Sequence, residues 1–215
     1  MDHPDSNTSS INIIVAHQVL RALGLVDKYF AINPSLMKAD VMDYFFRLLH
    51  PQMTVLVVSV EKGGGPNVMT CSWNMPVSEE PPLIALAISR ESLTNELIKK
   101  AREFTVNIPS SKLLKAVWIS GTRSGREINK IKLAGLKLAA SKRVKAPIIE
   151  DCIGHLECRL ERRIEAGEAT IFVGEVLAAY ARRDLFKRGL WAEEAEPLLH
   201  LGGRSFVIPG KVLKA

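Results

Sequence analysis

Short apolar runs separated by turn signals recur at close spacing from residue 41 onward, and this rhythm limits the chain to a strand-rich fold. Residues 44–49 read as a short helix or turn leading to His50-Pro51. A Val-rich strand is predicted over 54–59, closed by Gly63-Gly64-Gly65-Pro66-Asn67, whose residues suit a tight reversal of the backbone. A second strand is predicted over 68–74, a loop at Ser78-Glu79-Glu80-Pro81-Pro82, and an apolar strand over 83–88. Residues 94–101 read as a helix with Leu97 and Ile98 as apolar contacts. Residues 103–108 alternate, so Phe104, Val106 and Ile108 are expected inward and Thr105 and Asn107 outward. A further helix or two, interrupted at Gly121 and Gly125, is expected over 110–133. Later strands are predicted over 135–140, 153–163, 170–182 and 205–208; the second and third are long enough for a curved wall. Many strands with few helices between them point to an all-β barrel with peripheral helices.

Residues 1–36 differ in character. Over 10–31, Ile13, Ile14, Val19 or Leu20, Leu23 and Tyr29 recur at helical spacing, and Asn33-Pro34-Ser35 breaks the pattern. The expected organisation is a helical N-terminal extension over 1–36, or a non-native start ahead of Met37, followed by one domain over 37–215.

No run of about 18 apolar residues is present, so a membrane span is not expected. The polar start, with Asp2 and Asp5, lacks the features of a secretory signal, which makes the cytoplasm the expected compartment. The formal net charge of +6 is scattered. It fits a solvated basic surface or attraction of an anionic ligand such as a nucleotide phosphate. Nucleic acid is not an expected partner, because no basic stretch is interleaved with aromatic residues. Cys71, Cys152 and Cys158 are too few and too scattered for a disulfide framework. Strand alternation puts Cys152 and Cys158 on one face and His155 on the other, so no metal site is expected there.

Two segments carry candidate chemistry. Ser89-Arg90-Glu91-Ser92-Leu93-Thr94 ends an apolar strand and opens a helix. A Ser92 or Thr94 cap, free amides at a helix N-terminus and the Arg90 guanidinium together suit a phosphate monoester. The plainer reading is helix capping beside a surface arginine. The edge Asn67-Val68-Met69-Thr70-Cys71-Ser72-Trp73 can offer backbone donors and acceptors to a flat heterocycle. Trp73 would pack beside the ring or fill the barrel mouth; the alternative is a core tryptophan. Thr122-Arg123-Ser124-Gly125-Arg126 with Lys130 forms a further basic loop, which reads equally as a solvated turn.

Taken in order, Asn67-Val68-Met69-Thr70 with Ser72-Trp73, Pro81-Pro82, Arg90 and Thr94, Phe104-Thr105-Val106-Asn107-Ile108-Pro109, Ser124-Gly125-Arg126 with Lys130, and Thr170-Ile171-Phe172-Val173-Gly174-Glu175-Val176 resemble the flavin reductase-like, FMN-binding split-barrel family, flavoredoxins above all. The resemblance spans roughly residues 41–210. It implies a Greek-key split β-barrel, a homodimer, and FMN near the subunit interface. It also implies that Asn67, Met69, Thr70, Cys71, Ser72 and Trp73 line the ring system and that Ser89, Arg90, Ser92 and Thr94 hold the phosphate. Arg126 and Lys130 would lie near the ribityl chain or phosphate, from a neighbouring loop or subunit. No residue is expected to act as nucleophile or strong base, and Cys71 reads as a packed thiol. The expected activity is electron transfer from NAD(P)H to flavin or another acceptor. The alternative is a flavoredoxin-type carrier without its own nicotinamide site. The latter is motivated by Ala169 in Gly167-Glu168-Ala169-Thr170, where the family commonly has histidine facing the flavin region.

Overall fold

A computed structural model of the chain describes residues 38–61 and 63–213. The expected extension over 1–36 lies outside the described residues. Two compact units divide at residue 45/46, and a 3-10 segment, Met42–Leu49, carries the chain across that point.

The second unit is built on a seven-stranded antiparallel sheet. After β1 (Gln52–Met53) come β2 (Val55–Val60), β3 (Pro66–Cys71), β4 (Asn74–Ser78), β5 (Leu83–Ser89) and β6 (Glu103–Ile108). Helix α1 (Leu93–Ala101) joins β5 to β6, and helices α2 (Leu114–Thr122) and α3 (Lys130–Ala134) follow β6. Two short strands, β7 (Leu138–Ala139) and β8 (Ile148–Ile149), precede the long hairpin β9 (Gly154–Ala166) and β10 (Ala169–Ala181). The main sheet has the order β3-β2-β6-β9-β10-β5-β4. It curls until the β3–β4 corner meets β5: the Ala87 amide donates to Trp73 O at 2.9 Å. The result is a split barrel with peripheral helices, as the sequence predicts. The tail adds the pairs β11 (Phe186–Lys187) with β12 (Leu190–Trp191) and β13 (Leu199–Gly202) with β14 (Ser205–Val207). No helix among the described residues is long and apolar enough to cross a membrane.

The Val-rich β2 is buried on both faces, which explains its nearly continuous apolar run. Val55 and Val57 join Leu86, Ile88, Ile98, Phe104, Val106, Cys158, Leu160 and Phe172 inside the barrel. Leu56 and Val58 face outward into a second cluster with Val68, Ala116, Val117, Leu136 and Ile149, under α2 and the β8 segment. Gly174 lets the core close: a Cβ there would sit 2.6 Å from Phe104 Cζ.

Several expectations need correction. Thr105 and Asn107 are fully buried, not outward-facing to solvent. The segment around β8 crosses that face of β6: Thr105 Oγ1 donates to Pro147 O at 2.7 Å, and the Ile149 amide donates to Asn107 Oδ1 at 2.9 Å. Cys152 and Cys158 do not share a face. Cys152 precedes β9 and packs in the outer cluster, whereas Cys158 packs inside the barrel. Strand β4 occupies residues that the predicted strand and loop mostly left between them, because Pro76 and the exposed Met75 and Val77 obscure the usual alternation. Gly121 does not interrupt α2, which runs through to Thr122.

Candidate functional site

Helix α1 begins at the end of β5 with Ser92 as its cap: Ser92 Oγ accepts from the Asn95 amide at 3.2 Å. Ser92 Oγ also donates to Ser89 O at 3.0 Å, so the turn is closed on itself. The geometry of a helix start leaves the Leu93 and Thr94 amides without intrahelical acceptors. Arg90 stands exposed beside this turn, and its amide donates to Glu168 O at 2.9 Å, tying the turn to the tip of the β9–β10 hairpin. Ala169 is paired with Ser89 across β5 and β10, so a small methyl group stands beside the Arg90 turn.

Thr94 is not the cap. It is buried, and Asn67 Nδ2 donates to its Oγ1 at 2.8 Å, clamping the start of α1 to β3. Loop 123–129 crosses the same junction. A Cβ on Gly125 would run into Asn67 Oδ1 and lie 3.0 Å from Leu93 Cδ2, so only glycine allows this approach. Between the loop, β3 and α1 lies a pocket of about 360 Å³. Its lining includes Asn67, Leu93, Gly125, Arg126, Asn129 and Lys130.

Lys130 is buried and its Nζ donates to Ser120 O at 3.2 Å. Burial pushes its pKa down to about 8, since a desolvated ammonium is costly. Arg126 takes another course. Its guanidinium donates to Glu96 Oε2 at 3.1 Å, while Lys100 donates to Glu96 Oε1 at 2.6 Å. Lys100 first, then the Arg126 charge, hold the Glu96 carboxyl below its usual range.

The remaining expected residues lie along and beyond β3. Met69 packs against the barrel core, and Cys71 belongs to it. Burial pushes the Cys71 thiol up to about 12, which leaves it protonated and inert as a nucleophile. Thr70 Oγ1 donates to Val117 O at 2.6 Å, fastening α2 to the sheet. These three side chains are therefore committed to the fold, and β3 offers its backbone edge, since in the main sheet it pairs only with β2. Ser72 is half-buried at the corner after β3. Trp73 is 46% exposed, which removes the core-tryptophan reading; its ring lies 5.9 Å from that of Phe46.

The structure thus joins Asn67, Arg126 and Lys130 around one pocket, with Thr94 buried behind Asn67 and Ser89, Arg90 and Ser92 at the adjoining turn. Met69–Trp73 continues away from it along one strand. Sequence reasoning missed Leu93 and Glu96; the i, i+4 spacing of Glu96 and Lys100 is the one signal that could have drawn attention to the latter. Among the described residues no group of three or more His, Cys, Asp or Glu is placed to hold a metal ion.

Residues 47–208 match the model of the flavin reductase like domain. The chain belongs to that family. An uncharacterized protein of Archaeoglobus fulgidus is 44% identical over 154 residues, covering 71% of this chain and 84% of its own length. Among solved structures, a flavoredoxin from Methanosarcina acetivorans superposes with a TM-score of 0.72 at 27% identity, covering 83% of this chain and 93% of that one. An FMN-binding protein from Thermus thermophilus, solved with p-hydroxybenzaldehyde, gives a TM-score of 0.73 at 25% identity, with 83% and 97% covered.

Proposed function

We propose that this flavin reductase-like chain is an FMN-binding redox protein that passes electrons from NAD(P)H to flavin or another acceptor. The observation that carries the reading is the convergence of an open helix start, two cationic side chains and a glycine-dependent close approach on one pocket. The residues present fit the cofactor. Arg90 and the Leu93 and Thr94 amides would hold its phosphate, with the Ser92 cap keeping that turn closed. Lys130 and Arg126 would lie along the ribityl chain or beside the phosphate. The backbone edge of β3 and the half-exposed Trp73 would border the ring system. The names of the flavoredoxin and the FMN-binding protein agree with this choice of ligand.

When bound, FMN would supply the redox chemistry itself. The protein's part is then binding, orientation and electrostatics. Amides along Met69–Ser72 would stabilise negative charge on the reduced ring, and Arg126 or Lys130 would add to this where within hydrogen-bonding reach. By the family resemblance the working unit is a homodimer. Anaerobic mixing of the flavin-loaded protein with NADH and NADPH tests the donor. Loss of the oxidised flavin spectrum with either is the expected result, and persistence with both would remove nicotinamide as the donor.

A second reading is favoured by Ala169. With a methyl group opposite Ser89, the chain has no imidazole at the position where the family commonly carries one. A carrier reduced by a protein partner, without its own nicotinamide site, fits that substitution. Reduction by a ferredoxin-type partner but not by nicotinamides would select it.

A further inference from the structure

Glu96 is acidic, close to the phosphate site assigned above, and unassigned by that reading. It sits in the first turn of α1, three residues after the residue that opens the pocket's helical side. A dianion held at the same helix start would meet a like charge there. In the structure that charge is already shared between Lys100 and Arg126. The Arg126 pair is half exposed on both sides, at 47% and 45%. Ion pairs of this kind contribute little and exchange readily. Arg126 also lines the pocket and is carried by a loop tied mostly to itself: the Arg126 amide donates to Ser124 Oγ, and the Glu127 and Ile128 amides donate to Ser124 O. Its guanidinium can therefore change partner without unfolding a helix or strand.

We propose that Glu96 is the resident counter-ion of Arg126 and that a phosphate ester in the pocket takes its place, so that Glu96 sets how strongly the site prefers a phosphorylated ligand to the same ligand without phosphate. This rests on the FMN reading. No bond is made or broken; one charge-assisted hydrogen bond is exchanged for a stronger one, because a dianion receives the planar arginine fork better than a solvated carboxylate does. Glu96 thereby lowers phosphate affinity and keeps Arg126 neutralised when no ligand is present.

The test is a double-mutant cycle on the full chain, with FMN and riboflavin titrated into wild type, Glu96→Gln, Arg126→Met and the double variant. Glu96→Gln is expected to tighten FMN about two- to five-fold, the exchange value of an exposed ion pair, and to leave riboflavin unchanged. In the Arg126→Met background that gain should shrink to the part owed to the like charge alone, since no arginine remains to be released. An undiminished gain without Arg126 would mean that Glu96 acts only by general repulsion, and overturns the proposal. Weaker FMN binding by Glu96→Gln would mean that Glu96 aims Arg126 at the ligand, and overturns it as well, as does no change. Wild type that binds neither flavin would remove the FMN reading itself, an outcome distinct from FMN binding that is indifferent to Glu96.

Discussion

Lys130 and Arg90 present the same charge to the pocket region in different solvent, and this separates their expected behaviour. Arg90 is exposed and permanently charged. Replacing it with alanine should weaken FMN by about ten-fold or more, the worth of one charge-assisted bond, and leave riboflavin nearly unaffected. Equal loss for both ligands in a fluorescence titration would take Arg90 away from the phosphate. Lys130 is buried, and its pKa of about 8 makes its charge depend on pH in the neutral range. Its protonated form is the one that attracts an anion. FMN affinity should therefore be highest below about pH 8 and fall as the pH rises through that value, while the phosphate stays dianionic. Lys130→Met should bind FMN more weakly at pH 7 and lose that pH dependence; a wild-type curve flat from pH 7 to 9.5 would show that Lys130 does not face the ligand. Gly125 marks the limit of what one residue shows in isolation. In the sequence it is one glycine in a basic loop, and only the nearness of Asn67 and Leu93 reveals why no side chain fits.

Strands β6, β9 and β10 share a buried polar layer that the sequence pattern conceals. Asn107 Nδ2 donates to Leu56 O at 3.1 Å and to Thr105 Oγ1 at 3.1 Å, leaving its Oδ1 to accept from the Ile149 amide and from His155 Nδ1 at 3.0 Å. Glu157 is fully buried and accepts from the Lys142 and Arg143 amides and from the Tyr180 hydroxyl. Burial pushes the His155 pKa down to about 4, against the weaker upward pull of the Cys152 backbone and the Glu157 charge. The folded state thus prefers neutral imidazole, and the unfolded chain binds a proton first. Stability from this group is whole above about pH 6.5 and is lost as the pH falls toward about 4, by at most about 3 kcal/mol. Glu157 acts lower: burial raises its pKa, but the loop amides and Tyr180 outweigh this and hold it below the usual range, so its contribution disappears only in stronger acid. Urea unfolding from pH 7 to 4.5 should show a decline that His155→Gln reduces; parallel curves for the two proteins would refute the role. The strands themselves are legible in the sequence, because β2, β5 and β10 carry apolar runs while β6 and the first half of β9 alternate apolar with polar residues. Thr105 and Asn107 misled because period-2 reasoning assigns a polar residue to solvent, and only the later segment around β8 turns that face into an interior. The capped turn at Ser92 was legible for the opposite reason. Its capping chemistry is local, whereas the Asn67–Thr94 and Arg126–Glu96 contacts join residues 27 and 30 apart.

At the scale of the whole molecule, the main sheet ends on β4, and that end is apolar. Met75 and Val77 are 60% and 47% exposed, and Trp73 lies just before them. Alternation puts Trp73 and Met75 on one face, the register shift between Pro76 and Ser78 sets Val77 in a bulge, and Pro76 lacks the N–H that a further strand would need at that point. The surface is therefore suited to being covered by packing rather than by extension of the sheet. A second copy of the chain meets that requirement, and it agrees with the homodimer implied by the resemblance; covering Trp73 would also dry the ring side of the proposed flavin site. Light scattering on the eluting protein should give twice the mass of one chain. Met75→Lys combined with Val77→Lys should move it to the monomer mass, since two desolvated ammonium groups in an apolar interface cost several kcal/mol. The same variant separates assembly from folding: its circular dichroism should stay that of wild type, because neither side chain belongs to either core cluster. FMN should bind it more weakly if the partner copy encloses the ring, and with unchanged affinity if one chain supplies the whole site. A doubly substituted protein that still elutes as a dimer would assign the contact to another face and leave the apolar end of β4 unexplained.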